Sequence, residues 1–208
     1  MRISHKHKFV FIAVPKTGSS TIRKTLDPLS DIKSTGDKDS PYYWHTSAAS
    51  LKKHFIEQGW DWNKYYKFGF VRNPWDMVVS SYFYLKYKHE SRFNYKDFNF
   101  EDFVFGGPHH TAGSLLNFRH MPANANQIDF FIDYNSEQNL VNYIGYFEDM
   151  QKDFNEICAE IGITQEALPQ INKTKHKHYS EYYNSRTRDY IAIKYERDID
   201  AFEYEFEQ

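Results

Sequence analysis

With 208 residues, 40% of them hydrophobic and 19% aromatic, the chain suits one domain over residues 1–208 with one well-filled core. A formal net charge of −2 excludes the global basic field of a nucleic-acid binder, so any anion site has to be built locally. The one cysteine, Cys158, excludes an intramolecular disulfide and fits a reducing compartment. Cys158 lies in a helix-like stretch, 154–161, and reads as a buried structural thiol. No apolar run approaches the roughly 20 residues that span a bilayer. Residues 1–8 run into the first strand without a signal-peptide core. A soluble, cytoplasmic protein without a membrane anchor is the expectation.

Residues 9–14 form a continuous β-prone apolar run, as in a strand buried on both faces. A helix over 17–26 follows, with Ile22 and Leu26 on one face and Asp27-Pro28 ending it. Residues 30–43 are polar and read as a surface loop. Thr46 or Ser47 can cap a helix reaching about Gln58, where Gly59 stops it. Residues 66–71 are a second strand, and Pro74 sits in the first turn of a helix running to about Lys88. Residues 90–121 are ambiguous, with a short helix possible at 98–105 before Gly106-Gly107-Pro108. Two more strands are expected at 127–132 and 141–147, and an amphipathic helix at 149–161 closed by Gly162. A basic, His-rich loop at 169–179 precedes a last helix at 182–196 and a tail at 198–206 with alternating aromatics. Strands alternating with helices predict an α/β fold with a central, mostly parallel sheet flanked by helices, of the P-loop-containing nucleotide-binding type.

Two segments carry the chemistry. In Pro15-Lys16-Thr17-Gly18-Ser19-Ser20-Thr21, a strand turns into the first turn of a helix, whose N–H groups lack intrahelical partners and carry partial positive charge. Gly18 lets the backbone approach an anion, Lys16 adds a full charge, and Ser19, Ser20 and Thr21 add hydroxyls. The lysine precedes the glycine and no Gly-Lys-Ser/Thr run follows, so this is not the Walker A pattern and a magnesium-dependent NTPase is disfavoured. In Val71-Arg72-Asn73-Pro74-Trp75-Asp76, Arg72 ends a strand and suits forked binding of a phosphate, unless it pairs with Asp76. Ser80 lies about two helical turns further on. One such segment can hold one phosphate-like group. Two predict a ligand with anionic groups at both ends, such as a nucleotide phosphorylated at two positions.

These two motifs resemble those of sulfotransferases that use 3′-phosphoadenosine 5′-phosphosulfate (PAPS): residues 15–21 the 5′-phosphosulfate loop, and 71–76 with 79–82 the 3′-phosphate motif. The chain is most similar to the carbohydrate branch, including the chondroitin and heparan 2-O enzymes. Weaker matches at 143–148, at Asn172-Lys173-Thr174 and at 198–206 extend the resemblance to nearly the whole chain. The resemblance implies that Lys16 stabilises charge on the leaving phosphate and that Pro15, Lys16, Thr17, Gly18, Ser19, Ser20 and Thr21 hold the 5′ end. It implies that Arg72 and Ser80 bind the 3′-phosphate, that Lys173 joins the donor site, and that 3′-phosphoadenosine 5′-phosphate (PAP) is the product. A hydroxyl, a saccharide's in view of the branch, is the implied acceptor.

The acceptor hydroxyl needs a base. Among ten histidines, His45 stands between the two motifs, where a histidine is the proposed base in the similar 2-O enzymes. An imidazole suits the role because it titrates near neutrality. Glu57 and Glu148 are rivals, since glutamate serves in other branches. His5-Lys6-His7, His109-His110 and His176-Lys177-His178 lack a carboxylate or cysteine to complete a metal site, and none is expected. Segments 30–45 and 90–126 are left to frame the acceptor. A P-loop kinase of a nucleoside or small metabolite, and a non-catalytic nucleotide- or glycan-binding protein, are the alternatives.

Overall fold

A computed structural model describes residues 1–37, 39–88, 99–106, 126–164, 167–169, 171 and 176–207. The chain divides into two compact units, Met1–Val71 with Gln127–Asn172, and Arg72–Asn126 with Lys173–Gln208. Lys173, the rest of 172–174, His109-His110 and most of 90–121 lie outside the described residues.

The first unit is built on a sheet of strands β1 (Arg2–Ser4), β2 (Phe9–Ile12), β3 (Ile32–Lys33), β4 (Tyr66–Val71) and β5 (Tyr143–Tyr146). Among the described residues their order is β3-β1-β2-β4-β5. β2, β4 and β5 are parallel neighbours, with Ile12 opposite Gly69 and Val71 opposite Tyr146. β1 pairs antiparallel with both β2 and β3, so the sheet is mixed, with β1 running against the other four strands. Residues 1–8, expected only to lead into a strand, thus supply one. Arg2 is buried there because its Nε lies 2.6 Å from Asp27 Oδ1 and its Nη1 donates to Ser34 Oγ. β3 lies in the segment expected to be a polar loop.

Side chains alternate across each strand. Phe9, Phe11, Phe68 and Phe70 face Ile22 and Leu26 of α1 (Ser19–Leu26) and Phe154, Ile157 and Cys158 of α5 (Met150–Glu160). This confirms Cys158 as a core thiol. On the opposite face Phe131 lies over Gly69, where a Cβ would come within 2.4 Å of its ring. Residues 127–132, expected as a strand, form instead a 3-10 turn at Ile128–Phe130. The apolar run Phe130-Phe131-Ile132 is apolar because it is buried, not because it pairs along a ladder. α2 (Ala48–Glu57) buries Ala48, Leu51 and Phe55, and Ser47 caps it by accepting from Ser50 N.

The second unit is helical: α3 (Pro74–Lys88), α4 (Phe100–Phe105), α6 (Ser185–Lys194) and α7 (Glu196–Phe202). Its core joins Trp75, Val78, Val79 and Tyr82 to Phe100, Phe103, Tyr179, Ile191 and Tyr195. The expected last helix starts at Ser185 rather than 182, behind a capping box of Asn184 and Thr187. The expected tail begins as α7.

Candidate anion and active site

β2 and β4 are parallel neighbours, but the chain leaves β2 towards β3 on one side and reaches β5 from β4 on the other. Their carboxyl ends therefore flank a topological switch point, where open α/β sheets bind ligands. Residues 15–18 leave the sheet at that edge. Lys16 (φ 65°) and Gly18 (φ 70°) are both left-handed, the backbone alternation found in anion-binding nests of N–H groups. Gly18 is also the N-cap of α1, which has no side-chain cap and no acidic residue in its first turn. α2, α4 and α6, by contrast, are each capped by a side chain. α5 and α7 also lack a side-chain cap but carry acidic residues in their first turns, so among these uncapped starts the partial positive charge of α1 is the one that meets no carboxylate of its own turn. Gly18 presses on the segment after β5: a Cβ there would fall 2.2 Å from Met150 Cε and 3.2 Å from the Phe147 ring.

The hydroxyls of the loop are already occupied in part. Thr17 Oγ1 donates to Val14 O at 3.0 Å and Thr21 Oγ1 to Pro169 O at 3.3 Å. These two threonines shape the loop with their side chains, and Thr21 N donates to Gly18 O at 2.9 Å, so the backbone N–H groups of 17–20 are the ones that suit an anion. Arg23, which the sequence reading passed over, reaches back one turn to Ser19 O (3.3 Å) and Ser20 Oγ (3.2 Å). It puts a second cation beside the loop, and its spacing of three and four residues from Ser20 and Ser19 was the available signal.

His45 is in the same unit. Its Nδ1 lies 2.7 Å from the carbonyl oxygen of Ala13, three residues before Lys16. A carbonyl can only accept, so Nδ1 carries the proton and Nε2 holds the lone pair of the neutral ring. Burial lowers the imidazole pKa to about 4, against the hydrogen bond to Ala13, which works in the opposite direction, and with smaller pushes from the Met1 amino group and then Arg23. The ring is neutral at pH 7, with Nε2 in the accepting tautomer, but it titrates well below neutrality, which corrects the expectation of an imidazole poised near pH 7 and makes it a weaker base. Of its rivals, Glu57 is an exposed residue at the end of α2 with Oε2 3.4 Å from His54 Nδ1, and Glu148 is exposed beyond β5.

The second motif lies in the other unit. Arg72 directly follows β4, and both its Nε (2.8 Å) and Nη2 (2.7 Å) contact one carboxylate oxygen, Asp76 Oδ2. The structural alternative to phosphate binding, an arginine paired with Asp76, is thus what the geometry shows, and the pair holds the guanidinium at the start of α3. Ser80 follows Asp76 by four residues on the same helix face and is buried. The other motif residues are structural. Asn73 Oδ1 accepts from Trp75 N at 3.0 Å and Asp76 N at 3.4 Å, while Nδ2 donates to Glu205 O at 3.0 Å. Trp75 Nε1 donates to Arg188 O, and Tyr183 OH to Trp75 O. Among the described residues no group of three or more His, Cys, Asp or Glu gathers at metal-binding distance, and no helix is long and apolar enough to cross a membrane.

The model of the sulfotransferase family matches residues 1–205. Carbohydrate sulfotransferase 10 of Xenopus laevis is 24% identical over 97% of this chain and 66% of its own length, just under two thirds. An uncharacterized protein of Archaeoglobus fulgidus is 33% identical over 55% of this chain and 82% of its own. The crystal structure of a sulfotransferase from Alicyclobacillus acidocaldarius aligns with a TM-score of 0.41 at 14% identity, over 99% of this chain and 85% of that one. The chain belongs to the sulfotransferase family.

Proposed function

We propose that this member of the sulfotransferase family moves a sulfuryl group from PAPS to a hydroxyl of a saccharide, with His45 as base and Lys16 as the cation at the leaving group. The donor supplies an activated sulfur. Loop 15–18, the uncapped start of α1 and Lys16 suit its 5′ end. Arg72 and Ser80, with Lys173 by resemblance, suit its 3′-phosphate. Support for the saccharide comes from the named Xenopus relative.

The observation that carries the reading is the contact between His45 Nδ1 and Ala13 O, 2.7 Å long. It ties the imidazole to the strand that ends in the anion loop and leaves Nε2 as the acceptor of a proton. During transfer the acceptor oxygen forms a bond to sulfur while the bond from sulfur to the 5′-phosphate oxygen breaks. The hydroxyl proton passes to His45 Nε2, and Lys16 balances the charge that develops on the departing phosphate. Such reactions draw mainly on positioning and charge stabilisation.

The test is calorimetric titration with PAP, AMP and ATP, without magnesium and then with it. Micromolar binding of PAP, at least about tenfold tighter than AMP and weakened as much in Arg72→Ala, is expected without magnesium. Equal binding of PAP and AMP would remove the 3′-phosphate reading. Magnesium-dependent preference for ATP would favour a kinase instead.

A further inference from the structure

We propose that Trp44 is the stacking shelf for a sugar ring of the acceptor, set one residue before the base; this rests on the saccharide reading above. Trp44 is 46% exposed, one of the largest apolar groups left at the surface of the first unit. Single exposed aromatics are ordinary. This one is distinguished by how firmly it is held.

The indole stacks on Tyr43, with ring centroids 6.0 Å apart and an interplanar angle of 20°. Its six-membered ring closes over Gly36, where a Cβ would already stand 3.1 Å from Cζ2. The backbone on either side is tied down. Thr35 N donates to Tyr42 O at 2.9 Å, and Thr46 N and Oγ1 both donate to Tyr43 O, at 3.3 and 2.9 Å. The next residue is His45, held by Ala13, and two residues later Ser47 caps α2. Trp44 is thus a broad, stiff ring, backed by protein yet still open to solvent in part, on a turn whose other function is to carry the base.

A rigid aromatic offers large contact area at small entropic cost, and its face suits the C–H face of a pyranose. Neighbouring Cα atoms are about 3.8 Å apart. Residues 44 and 45 are therefore near enough along the chain for a hydroxyl presented to His45 and a ring resting on Trp44 to belong to one sugar or to adjoining sugars, which the experiment below tests. The base acts at the sulfuryl end of the donor, where the acceptor enters, so the shelf serves the acceptor rather than the adenine.

The experiment compares wild type, Trp44→Phe and Trp44→Ala in transfer of sulfur-35 from labelled PAPS to neutral and uronic-acid-containing oligosaccharides, with PAP titration in parallel. Trp44→Ala is expected to raise the acceptor KM at least about tenfold, as loss of a stacking partner does, with kcat changed less than about threefold. Its PAP affinity stays unchanged and Trp44→Phe recovers most of the loss. An acceptor KM within about twofold of wild type in Trp44→Ala overturns the shelf. So does parallel weakening of PAP, which would assign the ring to the nucleotide. A wild-type enzyme that sulfates other hydroxyl compounds but none of these saccharides fails a different premise, the saccharide reading, and the shelf falls with it.

Discussion

Two side chains carry the proposed chemistry. Lys16→Ala and His45→Ala are each expected to lower kcat by at least about a hundredfold, since a positioned base or charge stabiliser contributes that much. PAP binding should survive in His45→Ala, which separates loss of the base from loss of the site. The half-buried imidazole, with its pKa lowered to about 4, sets the pH behaviour. In kcat/KM, which reports the free enzyme, the acid limb attributable to the base should fall near pH 4 rather than near 6.5. Stability shifts over the same interval. Between pH 6.5 and about 4 the unfolded chain takes up a proton at this histidine and the folded chain does not, so stability declines as pH falls. Urea unfolding of His45→Gln, which cannot titrate, should show a flatter dependence across that window.

At the scale of elements, the strand-to-helix turn after β2 is the most constrained piece of backbone. Gly18 has φ 70° and faces Met150 and Phe147. Gly18→Ala is expected to destabilise by about 1–3 kcal/mol through its left-handed backbone, seen as a lower urea midpoint. The Met150 methyl, the end of a flexible chain, can move aside. At the start of α3, Asn73 caps two N–H groups and binds Glu205 O. Asn73→Ala should cost about 1–3 kcal/mol with little effect on the affinity of wild-type-like folded protein for PAP. Within the same motif Arg72 pairs with Asp76 and Ser80 lies buried one turn on, while Asn73 and Trp75 hold the C-terminal segment of their own unit.

For the whole molecule, the sheet order decides where chemistry can occur. Because successive connections leave β2 and β4 towards opposite sides of the sheet, the carboxyl ends of these two strands flank a topological switch point, where open α/β sheets bind ligands. Phenylalanines fill the face beneath α1 and α5. Truncating one, as in Phe11→Ala, should cost about 3–5 kcal/mol, measurable by urea unfolding. The rigidity this core lends to β2 is what holds Ala13, and through it His45, in register with the anion loop.

The α/β class, the second strand at 66–71, the cap of α2 at Ser47 and the strand-turn-helix form of both candidate segments were legible in the amino-acid order, because each depends on neighbours within a turn or a strand. Even the pairing of Arg72 with Asp76 follows from a spacing of four. What the order of residues left open depends on partners far along the chain. β1 and β3 are too short to announce themselves and exist because they find each other beside β2. Segment 127–132 looks like a strand, yet it turns, because Phe131 is drawn onto Gly69 across the sheet face. His45 could be picked out as a histidine between two motifs, but the nitrogen that bears its proton is decided by the carbonyl of Ala13, 32 residues away. Short-range spacing selects elements and residue types, whereas protonation, exposure and which groups meet depend on burial, which only the folded chain creates.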